Sequence, residues 1–232
     1  MPYRVSQFSN NEIYHIVTRG INDQIIFKDA DDYYRAIFSI YEFNNSYPVD
    51  IYKRRRERGG ERVSPEADER DKLVDILGFC LMPTHPHLLL KQLKDEGITK
   101  FMLKFGAGYG GYFNRKYNRK GYVFQNRFKN IHIKDDTQLK TVFAYIHANP
   151  ISLIEPKWKE LGIKNPAKAS KFLENYKWSS YSDYIGKKNF PSITERKFLS
   201  EIIGGSRECE NFLEDWINYK SEARESAELA LE

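Results

Sequence analysis

The chain has 232 residues, of which 41% are hydrophobic and 15% aromatic, enough to build a core and too apolar for wholesale disorder. No run approaches the ~18 uninterrupted apolar residues that cross a bilayer, and the first residues lack the apolar stretch of a signal peptide. Two cysteines far apart, Cys80 and Cys209, exclude a disulfide framework or a multi-cysteine zinc module, so a soluble cytoplasmic protein with reduced thiols is expected.

Ile13 to Arg19 (IYHIVTR) reads as a first strand, ended by Gly20 and Asn22-Asp23. Asp29 to Asn45 carries helical spacing through Tyr33, Ile37, Ile40 and Tyr41, with acids in its first turn. Residues 53–72 are almost purely polar and read as a mobile insertion, basic in its first half and acidic in its second. Val74 to Leu81 and His85 to Gln92 flank Met82-Pro83-Thr84 and form an expected antiparallel hairpin. A helix from about Thr99 to Tyr117 follows, in which Gly106, Gly108, Gly110 and Gly111 invite a break or a close backbone approach. Phe124 to Lys134 is again extended. Asp135-Asp136-Thr137 starts a helix that must stop near Asn149, because Pro150 disfavours helical geometry in the residue before it.

This order predicts an α+β protein: an antiparallel sheet of four or five strands with helices packed on it. Residues 1–155 read as the main domain and 156–232 as a largely helical extension. Within the extension lies the Trp/Tyr-rich NYKWSSYSDY.

The net charge of +5 is unevenly divided, with 32 bases against 22 acids over residues 1–194 and five against ten over 195–232. From Gly97 to Lys134 nine bases meet no acid, and nine Phe and Tyr rings are threaded among them. Cations for phosphates beside flat rings for bases is the composition of a single-strand nucleic-acid surface; a solvated helix face with its aromatics in the core fits the composition equally well. Arg127 and Lys129 are the best phosphate contacts, followed by Arg115, Lys116, Arg119 and Lys120. Tyr112, Tyr117 and Tyr122 are candidate stacking rings, although core packing accounts for such residues as readily.

Two of the five histidines, His85 and His87, stand at alternate positions of one strand, so both imidazoles face the same way, an arrangement able to grip one divalent cation. A third ligand would come from a helix crossing that face, and FAYIHANP offers Tyr145, His147 and Asn149. Tyr145 and Asn149, spaced i and i+4, share a helix face while His147 points elsewhere. His132 reads as structural, and His15, in the first strand, is a weak candidate to face the active site.

The stretches YHIVTRGINDQIIF, LGFCLMPTHPHLLL, GYFNRKYNRKGYVFQNRFKN, YIHANP and YKWSSY, in that order, resemble the REP-associated tyrosine transposases, relatives of the single-tyrosine insertion-sequence transposases in the HUH endonuclease superfamily. The resemblance spans roughly residues 13–185. It implies a ferredoxin-like HUH nuclease fold, a divalent metal (Mg²⁺ or Mn²⁺) on His85 and His87 with Asn149 as third ligand, and Tyr145 as nucleophile. It further implies a single-stranded DNA endonuclease and strand transferase acting at hairpin or palindromic sequences through a 5′-phosphotyrosine, nucleoid-associated, and either a homodimer or a monomer. Pro86 between the histidines departs from the family pattern. It removes a ladder hydrogen bond from a strand that is interior in this superfamily, and it keeps open a second reading, a catalytically degenerate nucleic-acid-binding regulator on the same fold.

Overall fold

The computed structural model describes residues 8–49, 70–125 and 127–229. The polar insertion expected at 53–72 lies outside them up to residue 69. Four strands, β1 (Ile13–Val17), β2 (Val74–Met82), β3 (His85–Gln92) and β4 (Lys129–Ile133), form one sheet in the order β2-β3-β1-β4. Helix α1 (Ala30–Phe43) joins β1 to β2, and α2 (Gly97–Lys116) joins β3 to β4. Asn11 N–H donates to the Gln92 carbonyl at one end of the β1/β3 pair and Gly20 N–H to the Thr84 carbonyl at the other, while Gly20 also bridges Phe124 antiparallel. The sheet is therefore antiparallel throughout, and with its strand order the architecture is the expected ferredoxin-like α+β fold. Four strands meet the expectation of four or five, and a single antiparallel bridge, Cys80 to Ser179, lies on the outer edge of β2.

The elements follow from local chemistry. Asp29 caps α1 by accepting from Asp32 N–H at 3.1 Å, which satisfies one of the donors orphaned at a helix start. Asn44 ends α1 and ties it to β2: its side-chain oxygen accepts from Leu73 and Val74 N–H at 3.0 and 3.1 Å, and its amide donates to the Val74 carbonyl at 2.8 Å. The glycines expected to weaken α2 leave it continuous from Gly97 to Lys116. At Gly108 a Cβ would stand 2.1 Å from the Phe43 ring, so this glycine is what lets α1 pack against α2; here the close approach wins over the break. The last extended stretch starts later than the sequence suggests, at Lys129, with Phe124 making only the bridge to Gly20.

Two compact units emerge. The first, Met1–Ile76, Pro83–His85 and Leu90–His132, holds β1, α1 and α2 around Ile16, Ile26, Ile40, Phe101, Phe105 and Tyr109. The second, Leu77–Met82, Pro86–Leu89 and Ile133–Glu232, holds α3 (Asp136–Ala148), a 3-10 turn (Asn149–Leu153) and the C-terminal helices. These are α4 (Trp158–Leu161), α5 (Pro166–Asn175), α6 (Tyr181–Tyr184), α7 (Arg196–Ile203) and α8 (Ser206–Leu229). Its apolar core joins Ala144, Ala148 and Ile151 to Trp158, Leu173, Tyr181, Leu213 and Ile217, and so runs across residue 155, where the sequence suggests a domain boundary. Among the described residues no helix is long and apolar enough to cross a membrane.

Candidate active site

His85 and His87 are the first and third residues of β3. His85 is half-buried, with Nδ1 2.8 Å from Thr84 Oγ1, the kind of outer contact that orients a metal-binding imidazole. His87 is 3% exposed. Pro86 is the second residue of β3, an interior strand, immediately after the Pro83-Thr84 turn.

Helix α3 supplies the other residues. Asp135 caps it by accepting from Gln138 N–H at 2.7 Å, and Gln138 reaches back to Lys134 N–H at 2.8 Å, a reciprocal arrangement close to a capping box. The Tyr145 ring stands edge-to-face against His87 at 5.9 Å between centroids. Asn149, 1% exposed, is locked by its amide donating to the Tyr145 carbonyl at 2.8 Å. That bond turns its oxygen toward the Lys159 ammonium, which donates to Asn149 Oδ1 at 2.8 Å and to the Tyr145 hydroxyl at 3.1 Å. His87, Tyr145 and Asn149 thus come together.

The donor chemistry fits a divalent cation: imidazoles at alternate strand positions and a fixed amide oxygen already attracting positive charge, with a second lone pair to spare. Among the described residues no group of three or more His, Cys, Asp or Glu side chains is placed to hold a metal.

His147 does point elsewhere, as the spacing implies. It is 1% exposed and lies between the Phe143 carbonyl, 2.9 Å from Nδ1, and Ser180 Oγ, 2.8 Å from Nε2. The carbonyl can only accept, so Nδ1 carries the proton and Nε2 accepts from Ser180. Burial pushes its pKa down to about 3, which keeps the ring neutral. Ser180 Oγ in turn accepts from Phe79 N–H at 2.9 Å. The YKWSSY motif is the cover of the β2 edge: Leu81 N–H donates to the Trp178 carbonyl at 2.8 Å, Ser180 N–H to Phe79 at 3.0 Å, and the Tyr176 hydroxyl to Leu81 at 2.7 Å. A bare edge would expose a row of unpaired donors and acceptors.

The acid-free window divides in three dimensions. Lys116 is held by Asp29 at 2.7 Å and by the fully buried Asp32 at 2.9 Å. Burial alone would lower its pKa, but hydrogen bonds to the two carboxylates outweigh that and push it up. Lys104 holds the turn that follows α1, donating to the Ser46 and Tyr47 carbonyls at 3.3 and 2.8 Å. Arg115, Lys120, Arg127 and Lys129 are exposed and Arg119 half-buried, with no ion pair to any of them among the described residues. Tyr112 and Tyr117, both half-buried, donate to Asp32 at 3.0 and 2.7 Å and belong to the same cluster around that buried carboxylate. Tyr122 is 81% exposed, beside a groove of about 410 Å³ lined by Phe105, Gly106, Gly110 and Phe124. His132 Nε2 lies 2.7 Å from the Glu12 carboxylate.

Lys159 is absent from the sequence-derived set. It lies in PKWKELG, beyond the 3-10 turn, with no periodic relation to Tyr145, and only the folded chain brings it there.

The antiparallel sheet thus carries the His-x-His strand, and α3 carries Tyr145 beside His87. The family model described as "Transposase IS200 like" matches residues 62–149, which include His85, His87, Tyr145 and Asn149. Over that span the match agrees with the resemblance read from the motifs. Among solved structures the chain is similar to one described as a REP-associated tyrosine transposase bound to a REP hairpin, at 13% identity, covering 85% of this chain and 95% of that one, with a TM-score of 0.44. It is also similar to a bacterial tRNA(His) guanylyltransferase (Thg1)-like protein in complex with GTP, at 10% identity, covering 69% and 75%, with a TM-score of 0.37. No curated protein matches.

Proposed function

We propose that this chain is a metal-dependent single-stranded DNA endonuclease and strand transferase acting at hairpin-bearing strands, with Tyr145 as nucleophile and His85, His87 and Asn149 as metal ligands. The observation that carries the reading is the grouping of Tyr145 with a buried imidazole and a fixed amide oxygen, inside a segment that matches a transposase family, with the Lys159 ammonium from beyond that segment against them.

Tyrosine is a poor nucleophile at neutral pH because its pKa lies near 10, so its surroundings must supply positive charge. A divalent cation on the two imidazoles and the amide would polarise the scissile phosphate. The chain itself positions the nucleophile: α3 sets the Tyr145 backbone, and the His87 ring and the Lys159 ammonium stand against the phenol. Attack by Oη on phosphorus gives a 5′-phosphotyrosine and a free 3′-hydroxyl, and that ester keeps the bond energy for rejoining. Arg115, Arg119, Lys120, Arg127 and Lys129 are proposed as phosphate contacts and Tyr122 as a stacking ring. Lys116 and the rings of Tyr112 and Tyr117 are assigned to packing.

Incubation of the protein with a hairpin-bearing single strand and Mg²⁺ or Mn²⁺ tests this. Cleavage is expected with the ion, to vanish on adding a chelator and to return with fresh ion, and to fall at least about 100-fold in His87→Ala. Cleavage that is indifferent to the chelator would overturn the metal-dependent reading, and binding without cleavage under any ion would favour the regulator.

A further inference from the structure

The strongest unassigned feature is the ammonium at the nucleophile. Lys159 Nζ is 3.1 Å from the Tyr145 hydroxyl, 2.8 Å from Asn149 Oδ1 and 4.7 Å from the centre of the Tyr145 ring. Surface lysines often drift into such contacts at no measurable gain; this one is mounted on a fixed platform. It lies in α4, whose neighbouring residue Trp158 is 3% exposed, sits in the core of the second unit and packs edge-to-face on Trp216 at 5.5 Å. The turn after α4 passes through Gly162 at φ 78°, where a Cβ would stand 2.4 Å from the Lys220 carbonyl. The Glu155 carboxylate accepts from Lys164 and Asn165 N–H at 2.7 and 3.2 Å and closes the loop that carries the helix.

We propose that Lys159 is a further catalytic residue, a fixed cation that bears the charge on the Tyr145 oxygen as it attacks and again as it leaves. This rests on the function proposed above. An ammonium has three donors; the nucleophile and Asn149 take two, and the third is available for a non-bridging oxygen of the scissile phosphate. In the forward step the P–O3′ bond breaks as the P–Oη bond forms. The phenolic proton passes to solvent and the departing 3′-oxygen takes one up, so Lys159 stays protonated and charge balances. In the reverse step a 3′-hydroxyl attacks the phosphotyrosine, loses its proton to solvent, and the phenolate departs beside the ammonium. Because Lys159 faces the bridging oxygen in both directions, one group serves cleavage and rejoining alike.

The test is single-turnover adduct formation on a saturating hairpin-bearing strand with Mg²⁺, in the full chain and in Lys159→Met and Lys159→Arg, with DNA affinity measured alongside. The expected result for Lys159→Met is a rate lower by roughly 10- to 100-fold at nearly unchanged affinity, with Lys159→Arg recovering most of the loss because charge and reach are kept. Adduct formation in Lys159→Met within twofold of the unaltered protein would overturn the role of Lys159 and leave the transposase reading standing. Equal losses in both variants would also overturn it, since shape rather than charge would then matter. Absence of any adduct in the unaltered protein would overturn both readings together.

Discussion

Tyr145 and His147 stand two apart on α3 and end in opposite situations. One offers a hydroxyl to an ammonium; the other is a buried neutral ring serving as a connector between α3 and Ser180. Replacing Ser180 by Ala would leave the Phe79 N–H and His147 Nε2 without this partner inside the core, and buried groups stripped of a bond cost about 1–3 kcal/mol. Ser180→Ala should therefore unfold at a lower urea concentration, while an unchanged midpoint would contradict the connector role. The histidine pair was legible because a strand's period of two is rigid, and Tyr145 with Asn149 because a helix brings i and i+4 together. Lys159 was not, because the turn at Asn149–Leu153 erases helical phase between it and Tyr145.

At the scale of elements, the strand and helix spans agree with the sequence reading to within a few residues, except where tertiary contact decides. The four glycines of α2 lower helix propensity whatever the fold, but their effect at Gly108 depends on a ring from α1 that no local pattern announces. Gly108→Val should raise intrinsic propensity slightly and yet destabilise the protein by about 1–3 kcal/mol through overpacking against Phe43. A thermal melt equal to or above that of the unaltered chain would show that α1 and α2 can separate at little cost. The YKWSSY stretch was recognisable as a motif but not as an edge cover, because its hydrogen bonds go to β2, about a hundred residues earlier.

Across the whole molecule, the uneven charge division carries the expectation of a polyanionic partner. The fold refines it: Lys104 and Lys116 are used internally, whereas Arg115, Lys120, Arg127 and Lys129 remain exposed. Sequence alone could not make this division, because Asp29 and Asp32 lie more than 80 residues before Lys116. Single-strand affinity should fall with salt, and removing one exposed base should reduce the log–log slope by about 0.7. Lys116→Gln should leave that slope unchanged and lower stability instead; the reverse pattern would make Lys116 a phosphate contact. The central claim, a tyrosine nucleophile on α3, is tested most directly by trapping the protein on a hairpin-bearing single strand with Mg²⁺ and mapping the DNA-linked peptide by mass spectrometry. The linkage is expected at Tyr145 and should vanish in Tyr145→Phe with DNA binding retained; an adduct that persists in Tyr145→Phe, or maps to another residue, would contradict it.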